Sequence, residues 1–456
     1  MSVSDTKDMR AEKGPGAFGA ITRALDGMVQ RWLPDPLVIV MLLTLIVFAL
    51  GVVTAGQSPV EMVNHWGEGF WNLLTFAMQM MLVLVTGFVL ASTPVFKRAM
   101  AKLAAFASTP GQAIVMVTLV ALAASWINWG FGLVIGALFA RALARNVPDV
   151  DYRLLIAAAY SGFVVWHGGL SGSVPLTAAT EGNFLEERIG LIPASETIFA
   201  PFNLIIVAAL FVVIPLVNRM MLAHGGDTVL ARDVDLDAEE DAADARPGDT
   251  PAEKLENSVI LSGLTGLLGL GYVAWYAWTT GYALNLNILN FTFLFLGILL
   301  HGTPRRFLDS VAEAVRGAGG ILIQFPFYAG VMGMMVGSGM AASVSQWFVD
   351  ISTETTLPLF TFLSAGFVNV LVPSGGGQWA VQGPVVMPAA MELGADQARI
   401  AMAVAWGDAW TNLIQPFWAL PALAIAGLSA RDIMGFCLTL LLITGAVIAA
   451  GLVFLP

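Results

Sequence analysis

The sequence has few charged residues and almost no cysteine. Only 12% of its 456 residues are charged, whereas 57% are hydrophobic. A soluble domain covers its surface with about a quarter charged residues, so this composition excludes a soluble globular protein. The single Cys437 excludes a disulfide framework, a cysteine zinc site and an iron–sulfur centre, and four histidines leave little for another metal site. The sequence predicts a polytopic membrane protein without a resident cofactor.

The net charge of −11 does not indicate a basic partner. Most of the excess acidic residues lie in 223–257, which we predict to be a flexible, acidic cytoplasmic linker. The rest of the chain is close to neutral, and we expect no nucleic-acid partner.

Apolar stretches of about 20 residues, the length that crosses a bilayer as a helix, occur along the whole chain. They cover 36–55, 70–91, 196–222, 258–279, 285–301, 319–345 and 431–455. Two further stretches, 154–180 and 399–427, are long enough but are interrupted by glycine, proline and polar residues. We predict re-entrant hairpins at 111–143 and 358–391, because irregular backbone survives at membrane depth only when protein or a wet cavity covers it. This interpretation gives nine crossings and two hairpins.

The distribution of basic residues supports this topology. If the N-terminus is cytoplasmic, every lysine and arginine except Arg188 and Arg399 falls on the cytoplasmic side. Residues 1–35 then form a cytoplasmic N-terminus, and the amphipathic pattern at 15–32 predicts a helix that lies on the membrane surface.

The two halves of the chain repeat the same order of segments. Gln79 aligns with Gln324, and the Trp166–His167 interruption aligns with Thr411–Asn412. Five crossings precede the second repeat, so we predict that it is inserted in the opposite orientation. The predicted fold class is an all-α polytopic membrane protein of two inverted repeats, each with a re-entrant helical hairpin and a discontinuous transmembrane helix.

The predicted domain boundaries follow from this repeat. They are the N-terminus at 1–35, repeat 1 at 36–222, the linker at 223–257, a connector helix at 258–284 and repeat 2 at 285–456.

Polar residues and glycines occupy both hairpin turns. The first turn reads Ser-Trp-Ile-Asn-Trp-Gly-Phe-Gly over 125–132, where the glycines allow positive φ. The second reads Val-Pro-Ser-Gly-Gly-Gly-Gln-Trp over 372–379, and its three glycines expose successive amides as a nest for an anion. The alternative is that these glycines serve only tight turning and close helix packing. The candidate substrate-binding residues of the turns are Asn128, Trp129, Gly130, Ser374, Gly375, Gly376, Gly377, Gln378 and Trp379.

The interrupted spans carry the remaining candidates. We predict unwound backbone near His167–Ser173 and near Asn412–Pro416, where half-helix ends suit a carboxylate and a cation. His167, Ser171 and Asn412 are therefore further candidate substrate contacts. Asp408 is the only carboxylate well inside a span, and it is either a cation ligand or proton carrier, or a structural hydrogen-bonding group. The candidate cation-binding or proton-coupling residues are Asn128, Ser171, Ser374, Asp408 and Thr411.

Four runs together resemble the bacterial short-chain fatty acid transporter family over 15–456. They are 128–132, 167–175, Val-Pro-Ser-Gly-Gly-Gly-Gln-Trp-Ala-Val-Gln-Gly-Pro at 372–384 and Gly-Asp-Ala-Trp-Thr-Asn-Leu-Ile-Gln-Pro at 407–416. The layout is also similar to the ion-transporter superfamily of carboxylate carriers. The resemblance implies import of small monocarboxylates such as butyrate or acetoacetate, an elevator mechanism, a homodimer and a place in the bacterial cytoplasmic membrane. The superfamily's Ser-Asn-Thr tip signature is replaced here, which leaves Na⁺ and H⁺ open as the coupling ion.

Three other functions compete with monocarboxylate import. Exchange of organic anions and dicarboxylate transport are alternatives within transport. An intramembrane serine hydrolase is a remote alternative, because Gly169-Leu-Ser-Gly172 has the Gly-x-Ser-Gly form with His167 close by. We predict a transporter and not an enzyme.

Overall fold

The computed structural model describes residues 36–222, 228–234, 250–281, 283–371, 374–415, 418–419, 422–423 and 426–456. Within these ranges the chain is helical, with one isolated bridge between Asp151 and Leu230 and no sheet. The region 1–35, with its predicted surface helix, lies outside the described residues.

The α-helices of the first half span most of its length. In chain order they are α1 (Pro36–Thr54), α2 (Pro59–Gly69), α3 (Leu74–Ala91), α4 (Pro94–Ala104), α5 (Pro110–Ile127), α6 (Trp129–Asn146), α7 (Tyr152–Ser161), α8 (Ser173–Ala178), α9 (Glu186–Ile189) and α10 (Pro201–Met221).

The second half also consists mainly of α-helices. Its helices are α11 (Pro251–Glu256), α12 (Val259–Thr280), α13 (Leu286–His301), α14 (Pro304–Gly337), α15 (Met340–Ile351), α16 (Leu357–Leu371), α17 (Gly375–Leu393), α18 (Gln397–Thr411) and α19 (Ala430–Phe454). Short 3₁₀ helices occupy Gly162–Gly168, Ala231–Asp233 and Asn412–Ile414.

Each of the two predicted hairpin segments contains two helices. In the first hairpin, α5 and α6 are separated by Asn128 alone and pack against each other. In the second, α16 ends at Leu371 and α17 begins at Gly375. Two helices occupy each of the predicted hairpin segments, and a re-entrant path that enters and leaves by the same membrane face stays a prediction.

The first interrupted span is broken where glycine permits close packing. Its α-helix ends at Ser161, a 3₁₀ helix follows from Gly162, and α8 resumes at Ser173. The tight winding therefore starts before the predicted unwound stretch at His167–Ser173. A Cβ atom on Gly162 would lie 2.6 Å from the Ala121 Cβ, so only glycine allows this approach to α5.

The second interrupted span changes at the predicted position. Its helix α18 ends at Thr411, and a 3₁₀ helix covers Asn412–Ile414. Pro416, the end of the predicted break, lies outside the described residues.

Burial separates central helices from peripheral ones. In an apolar 18-residue stretch of the first interrupted span, Tyr152–Ala178, 94% is buried, against 22% in Leu37–Thr54 and 17% in such a stretch of Val259–Thr280. Because both peripheral helices are apolar, the faces they leave exposed suit lipid. Among the described residues, seven helices are long and apolar enough to cross a membrane by themselves. The predicted total of nine crossings stays a prediction.

Two predicted segments have additional structure. In the predicted span at 319–345 the chain bends by 72° between α14 and α15, where Gly339 has a φ of 79°. In the described part of the predicted linker, Ala231 N–H donates to the carbonyl of Val150 at 3.0 Å. The region 250–257 also contains α11, which starts at a capping box on Thr250.

Candidate functional site

A buried hydrogen bond joins the two interrupted spans. His167 Nδ1 lies 3.1 Å from Asp408 Oδ2, and both side chains are almost completely buried. The other ring nitrogen, Nε2, accepts the backbone N–H of Val174 at 3.1 Å. A backbone amide can only donate, so Nε2 carries no proton and the ring proton resides on Nδ1. His167 therefore donates to the Asp408 carboxylate.

The second carboxylate oxygen of Asp408 has no such partner. Oδ1 is buried and accepts no hydrogen bond from the residues that the structure describes. Leaving a buried polar group unpaired costs about 1–3 kcal/mol, and more for a charged group. This oxygen is therefore available to a proton or a cation, and the role of Asp408 in coupling stays a prediction.

The glycine run of the second hairpin starts a helix and does not form a nest. Gly375, Gly376 and Gly377 are the first three residues of α17, and none has a positive φ. Ser374 caps this helix, its Oγ accepting the N–H of Gly377 at 3.3 Å. The prediction of a nest is thus wrong. The first-turn amides of a helix have no acceptor within it, and together with the helix dipole they suit an anion.

Gly375 brings the second hairpin against the first interrupted span. A Cβ atom on Gly375 would lie 2.5 Å from Cε1 of His167 and 2.9 Å from Cη2 of Trp166. The ring of Trp166 stacks on that of His167, with centroids 3.9 Å apart. The absence of a side chain at Gly375 therefore allows the hairpin turn to reach this pair of rings.

The first hairpin turn is fixed by two polar side chains. Asn128 Oδ1 accepts the N–H of Phe131 at 2.9 Å and so caps α6. Ser171 Oγ accepts the N–H of Trp129 at 2.9 Å, which attaches the turn to the first interrupted span. Gly130 lies in the helix without a positive φ, so the predicted reason for this glycine is wrong. A Cβ there would approach the Leu84 carbonyl to 3.0 Å, and close packing explains it.

A tryptophan cluster connects the first hairpin turn with the second half of the chain. The ring of Trp129 lies 6.0 Å from that of Trp166 and 5.4 Å from that of Trp418. Trp166 Nε1 donates to Asn412 Oδ1 at 3.1 Å. In the described part of the chain, Trp129 Nε1 and Asn412 Nδ2 are buried donors without an acceptor.

Asn369 of α16 organises the second interrupted span. Its Nδ2 donates to the backbone carbonyl of Asp408 at 2.8 Å and to Thr411 Oγ1 at 2.9 Å. The backbone carbonyl of Asn369 accepts a hydrogen bond from Gln415 Nε2. Thr411 also donates to the carbonyl of Gly366 at 3.0 Å. Thr411, a predicted cation ligand, is therefore engaged in joining two helices.

Unpaired side-chain oxygens accumulate in this second half of the site. Asn369 Oδ1, Gln378 Oε1 and Gln415 Oε1 are buried and have no donor among the described residues, as is true of Asp408 Oδ1. Gln378 is held by its other atom, since Nε2 donates to the carbonyl of Ala365 at 2.9 Å.

Trp379 and Trp410 have different surroundings. Trp379 is fully buried and packs over Gly383, where a Cβ would lie 3.2 Å from its ring, and its Nε1 has no acceptor among the described residues. Trp410 Nε1 donates to the carbonyl of Leu441 at 2.6 Å, and its ring packs on Phe362. Trp410 therefore belongs to the packing between α16, α18 and α19.

Sequence reasoning missed several polar residues that hold the site. Asn203 Nδ2 donates to the carbonyls of Gly168 and Ile198, at 2.9 and 2.8 Å, and its Oδ1 accepts Trp406 Nε1 at 2.9 Å. Tyr160 donates to the carbonyl of Asn412 at 2.6 Å. The available signal was an asparagine within an apolar helix, because such a residue normally has a specific partner.

Aromatic residues beside the glycine run were also missed. Phe76, Phe325 and Tyr328 face Gly376 and Gly377 from α3 and α14. Nothing local in their segments distinguishes them from the other aromatic residues of the chain.

The arrangement does not assemble a serine–histidine pair. Ser171 Oγ is bonded to the N–H of Trp129, and both ring nitrogens of His167 are engaged by Asp408 and Val174. A hydrolase would need the histidine oriented toward the serine hydroxyl.

Comparison with known sequences identifies relatives over almost the whole chain. Residues 17–455 match the sequence profile of the short chain fatty acid transporter family. A protein of Escherichia coli (strain K12) is 48% identical over 436 residues, which cover 95% of this chain and 99% of that protein. A protein of Haemophilus influenzae (strain ATCC 51907 / DSM 11121 / KW20 / Rd) is 44% identical, with coverage of 95% and 99%. Both relatives are named for short-chain fatty acid transport.

Solved structures support the fold. The YdaH transporter of Alcanivorax borkumensis superposes with a TM-score of 0.56 at 14% identity, covering 91% of this chain and 98% of that chain. MtrF of Neisseria gonorrhoeae, described with a class of antimetabolite efflux pumps, gives a TM-score of 0.53 at 15% identity, with coverage of 95% and 96%. At these identities the likeness concerns the fold alone.

Proposed function

The chain belongs to the short chain fatty acid transporter family, and from this premise we propose that it imports small monocarboxylates such as butyrate together with a monovalent cation. One observation carries the proposal. The buried, unpaired polar atoms around His167 and Asp408 separate into donors, which suit a carboxylate, and oxygens, which suit a cation. The names of the two relatives support this substrate class.

Neutral donors bind the carboxylate. Trp129 Nε1 and Asn412 Nδ2 flank Trp166, and Gly375, the first residue of α17, lies against the same ring. A monocarboxylate carries one charge, which a helix N-terminus and neutral donors can stabilise without lysine or arginine. A dicarboxylate would require donors for a second charged group, so its transport is an alternative outcome of the uptake test below.

Aromatic rings enclose the short apolar tail. Trp166 lies against Gly375 and has Trp129 beside it, and Phe76 and Phe325 lie against Gly376. Rings bury apolar surface with little loss of conformational entropy. Trp410 takes no part, because its indole is engaged by Leu441.

The cation binds on the side of the second interrupted span. Asp408 Oδ1 can take up a proton, whereas the amide oxygens of Asn369, Gln378 and Gln415 suit Na⁺. Asn128, Ser171, Ser374 and Thr411 are further predicted ligands, but each already bonds a backbone or side-chain group. Asp408 is accordingly the residue on which we expect coupling to depend.

The remaining proposals concern the protein in its membrane. Re-entrant hairpins, inverted repeats and a cytoplasmic N-terminus in the bacterial cytoplasmic membrane follow from the distribution of basic residues. The exposed apolar faces of α1 and α12 leave room for lipid and for a second copy in a homodimer. An elevator movement would carry the hairpins and the interrupted spans together.

Uptake into proteoliposomes tests the function directly. The purified full-length protein is reconstituted, and uptake of radiolabelled butyrate is followed with a Na⁺ gradient, a proton gradient or neither. We expect accumulation with one of the two gradients and competition by other short monocarboxylates. Protein-free liposomes are the control for diffusion of the protonated acid.

Three outcomes would contradict the proposal. Uptake that needs a trapped internal anion and no cation gradient would identify an exchanger. Preference for succinate over butyrate would identify a dicarboxylate carrier. No uptake above protein-free liposomes under any gradient would exclude butyrate-class monocarboxylates as substrates.

A further inference from the structure

Aromatic residues from α3 and α14 press directly on the first turn of α17. A Cβ on Gly376 would lie 2.6 Å from Cζ of Phe76 and 3.3 Å from Cε1 of Phe325. A Cβ on Gly377 would lie 2.6 Å from Cδ2 of Tyr328 and 2.7 Å from its Cε2. The glycines therefore leave the turn in direct contact with a wall of rings.

Tyr328 is the only member of this ring cluster with a polar atom. The cluster runs from Phe184 to Phe76, from Phe76 to Phe325 and from Phe325 to Tyr328, with centroids 5.9, 5.5 and 5.9 Å apart. Phenylalanine occupies every other place. The hydroxyl of Tyr328 thus distinguishes one end of an otherwise apolar wall, the end beside Gly377.

That hydroxyl is buried without a partner. Tyr328 is 1% exposed, and its hydroxyl bonds to nothing in the part of the chain that the structure describes. Burying an unpaired hydroxyl is unfavourable, and phenylalanine would fill nearly the same volume without that cost. The hydroxyl is therefore available to a bound ligand.

We propose that Tyr328 is a specificity-determining residue, whose hydroxyl donates a hydrogen bond to an oxygen on the carbon chain of the substrate. The inference rests on the proposed function, because it takes the carboxylate to bind at the first-turn amides of Gly375 and Gly376. The Tyr328 hydroxyl is two bonds beyond Cε2, one of the two ring atoms nearest to Gly377. Gly377 follows Gly375 by about 3 Å along the helix axis, close to the length of two carbon–carbon bonds. An oxygen on the third carbon of a short acid would therefore lie near the hydroxyl.

The consequence is a preference for oxygenated short-chain acids over plain alkanoates. A site that holds a buried hydrogen-bonding group discriminates against a ligand that lacks the matching group, because the protein group then stays unpaired. The apolar wall of Phe76 and Phe325 would discriminate much less between acids of similar length.

Competition in proteoliposomes tests this preference. Uptake of radiolabelled butyrate by the full-length protein is inhibited with 3-hydroxybutyrate and with unlabelled butyrate. In the unchanged protein we expect 3-hydroxybutyrate to bind more tightly. Tyr328→Phe should raise the inhibition constant of 3-hydroxybutyrate by about tenfold, because one hydrogen bond is lost. The inhibition constant of butyrate should stay within about twofold of its original value. The exposed Tyr272→Phe on α12 is the matched control and should change neither value.

A stability measurement separates recognition from structure. Removal of an unpaired hydroxyl should leave the melting temperature in detergent unchanged or raise it, whereas removal of a structural hydrogen bond would lower it. The role of Tyr328 would be overturned if Tyr328→Phe weakened the binding of both acids equally, lowered the melting temperature, or left the ratio of the two inhibition constants unchanged. In each of these cases the unchanged protein still transports butyrate, so they differ from the failure of the proposed function, in which the unchanged protein transports no butyrate.

Discussion

Gly375 lies directly against the imidazole of His167, so that a Cβ atom on Gly375 would come within 2.5 Å of Cε1. The contact joins the turn of the second hairpin to the first interrupted span. On the same ring, Nδ1 bonds Asp408 and Nε2 bonds the amide of Val174. His167 is therefore confined on three sides, and it cannot move away from an added side chain without breaking one of these bonds.

Gly375→Ala should reduce butyrate uptake by tenfold or more. The added methyl group displaces either the turn or His167, and a displacement of about 1 Å can cost a hundredfold in a positioned site. Initial uptake rates in proteoliposomes measure the effect, with the amount of reconstituted protein determined in parallel.

Gly263→Ala is the matched control for this substitution. Nothing lies within 4 Å of a Cβ at Gly263, which belongs to the exposed helix α12. We expect normal uptake from this variant. Normal uptake from Gly375→Ala as well would show that the contact with His167 does not matter for transport.

Asp408→Asn should abolish accumulation against a gradient. The amide oxygen of asparagine can still accept the Nδ1–H of His167, so the bond between the interrupted spans survives. The variant lacks the negative charge and cannot bind and release a proton. Counterflow of butyrate, which needs no net cation movement, should persist. Unchanged cation-driven accumulation would remove Asp408 from the coupling mechanism.

Asn203→Leu should destabilise the protein without involving the substrate. It leaves the carbonyls of Gly168 and Ile198 and the Nε1 of Trp406 without their partner. Each unpaired buried group costs about 1–3 kcal/mol, so the melting temperature in detergent should fall by several degrees. Asn257→Leu, at the end of the short helix α11, is the control, and its melting temperature should stay close to that of the unchanged protein. Equal melting of both variants would show that Asn203 is dispensable.

The sequence was informative wherever the cause is local. The long apolar stretches and the glycine, proline and polar residues that interrupt them predicted both hairpin turns and both interrupted spans. Contacts between segments that are distant in the sequence could not be predicted from it. His167 and Asp408 were predicted separately, and only the fold brings them together. The glycines at 375–377 were predicted to expose their amides as a nest for an anion. Their contacts with rings from other segments could not be foreseen: His167 and Trp166 lie against Gly375, and Phe76, Phe325 and Tyr328 lie against the next two glycines.

Two tryptophan substitutions should separate binding from stability. Trp166→Phe keeps an aromatic ring on His167 but removes the Nε1–H that orients the amide of Asn412. Since the Nδ2 of Asn412 is then no longer directed at the carboxylate, the KM for butyrate should rise by about three- to tenfold, the worth of one hydrogen bond, with little change in maximal rate. Trp406→Phe removes the equivalent bond to Asn203 and should lower the melting temperature with KM unchanged. If both variants changed KM alike, Asn412 would have no special part in binding the acid.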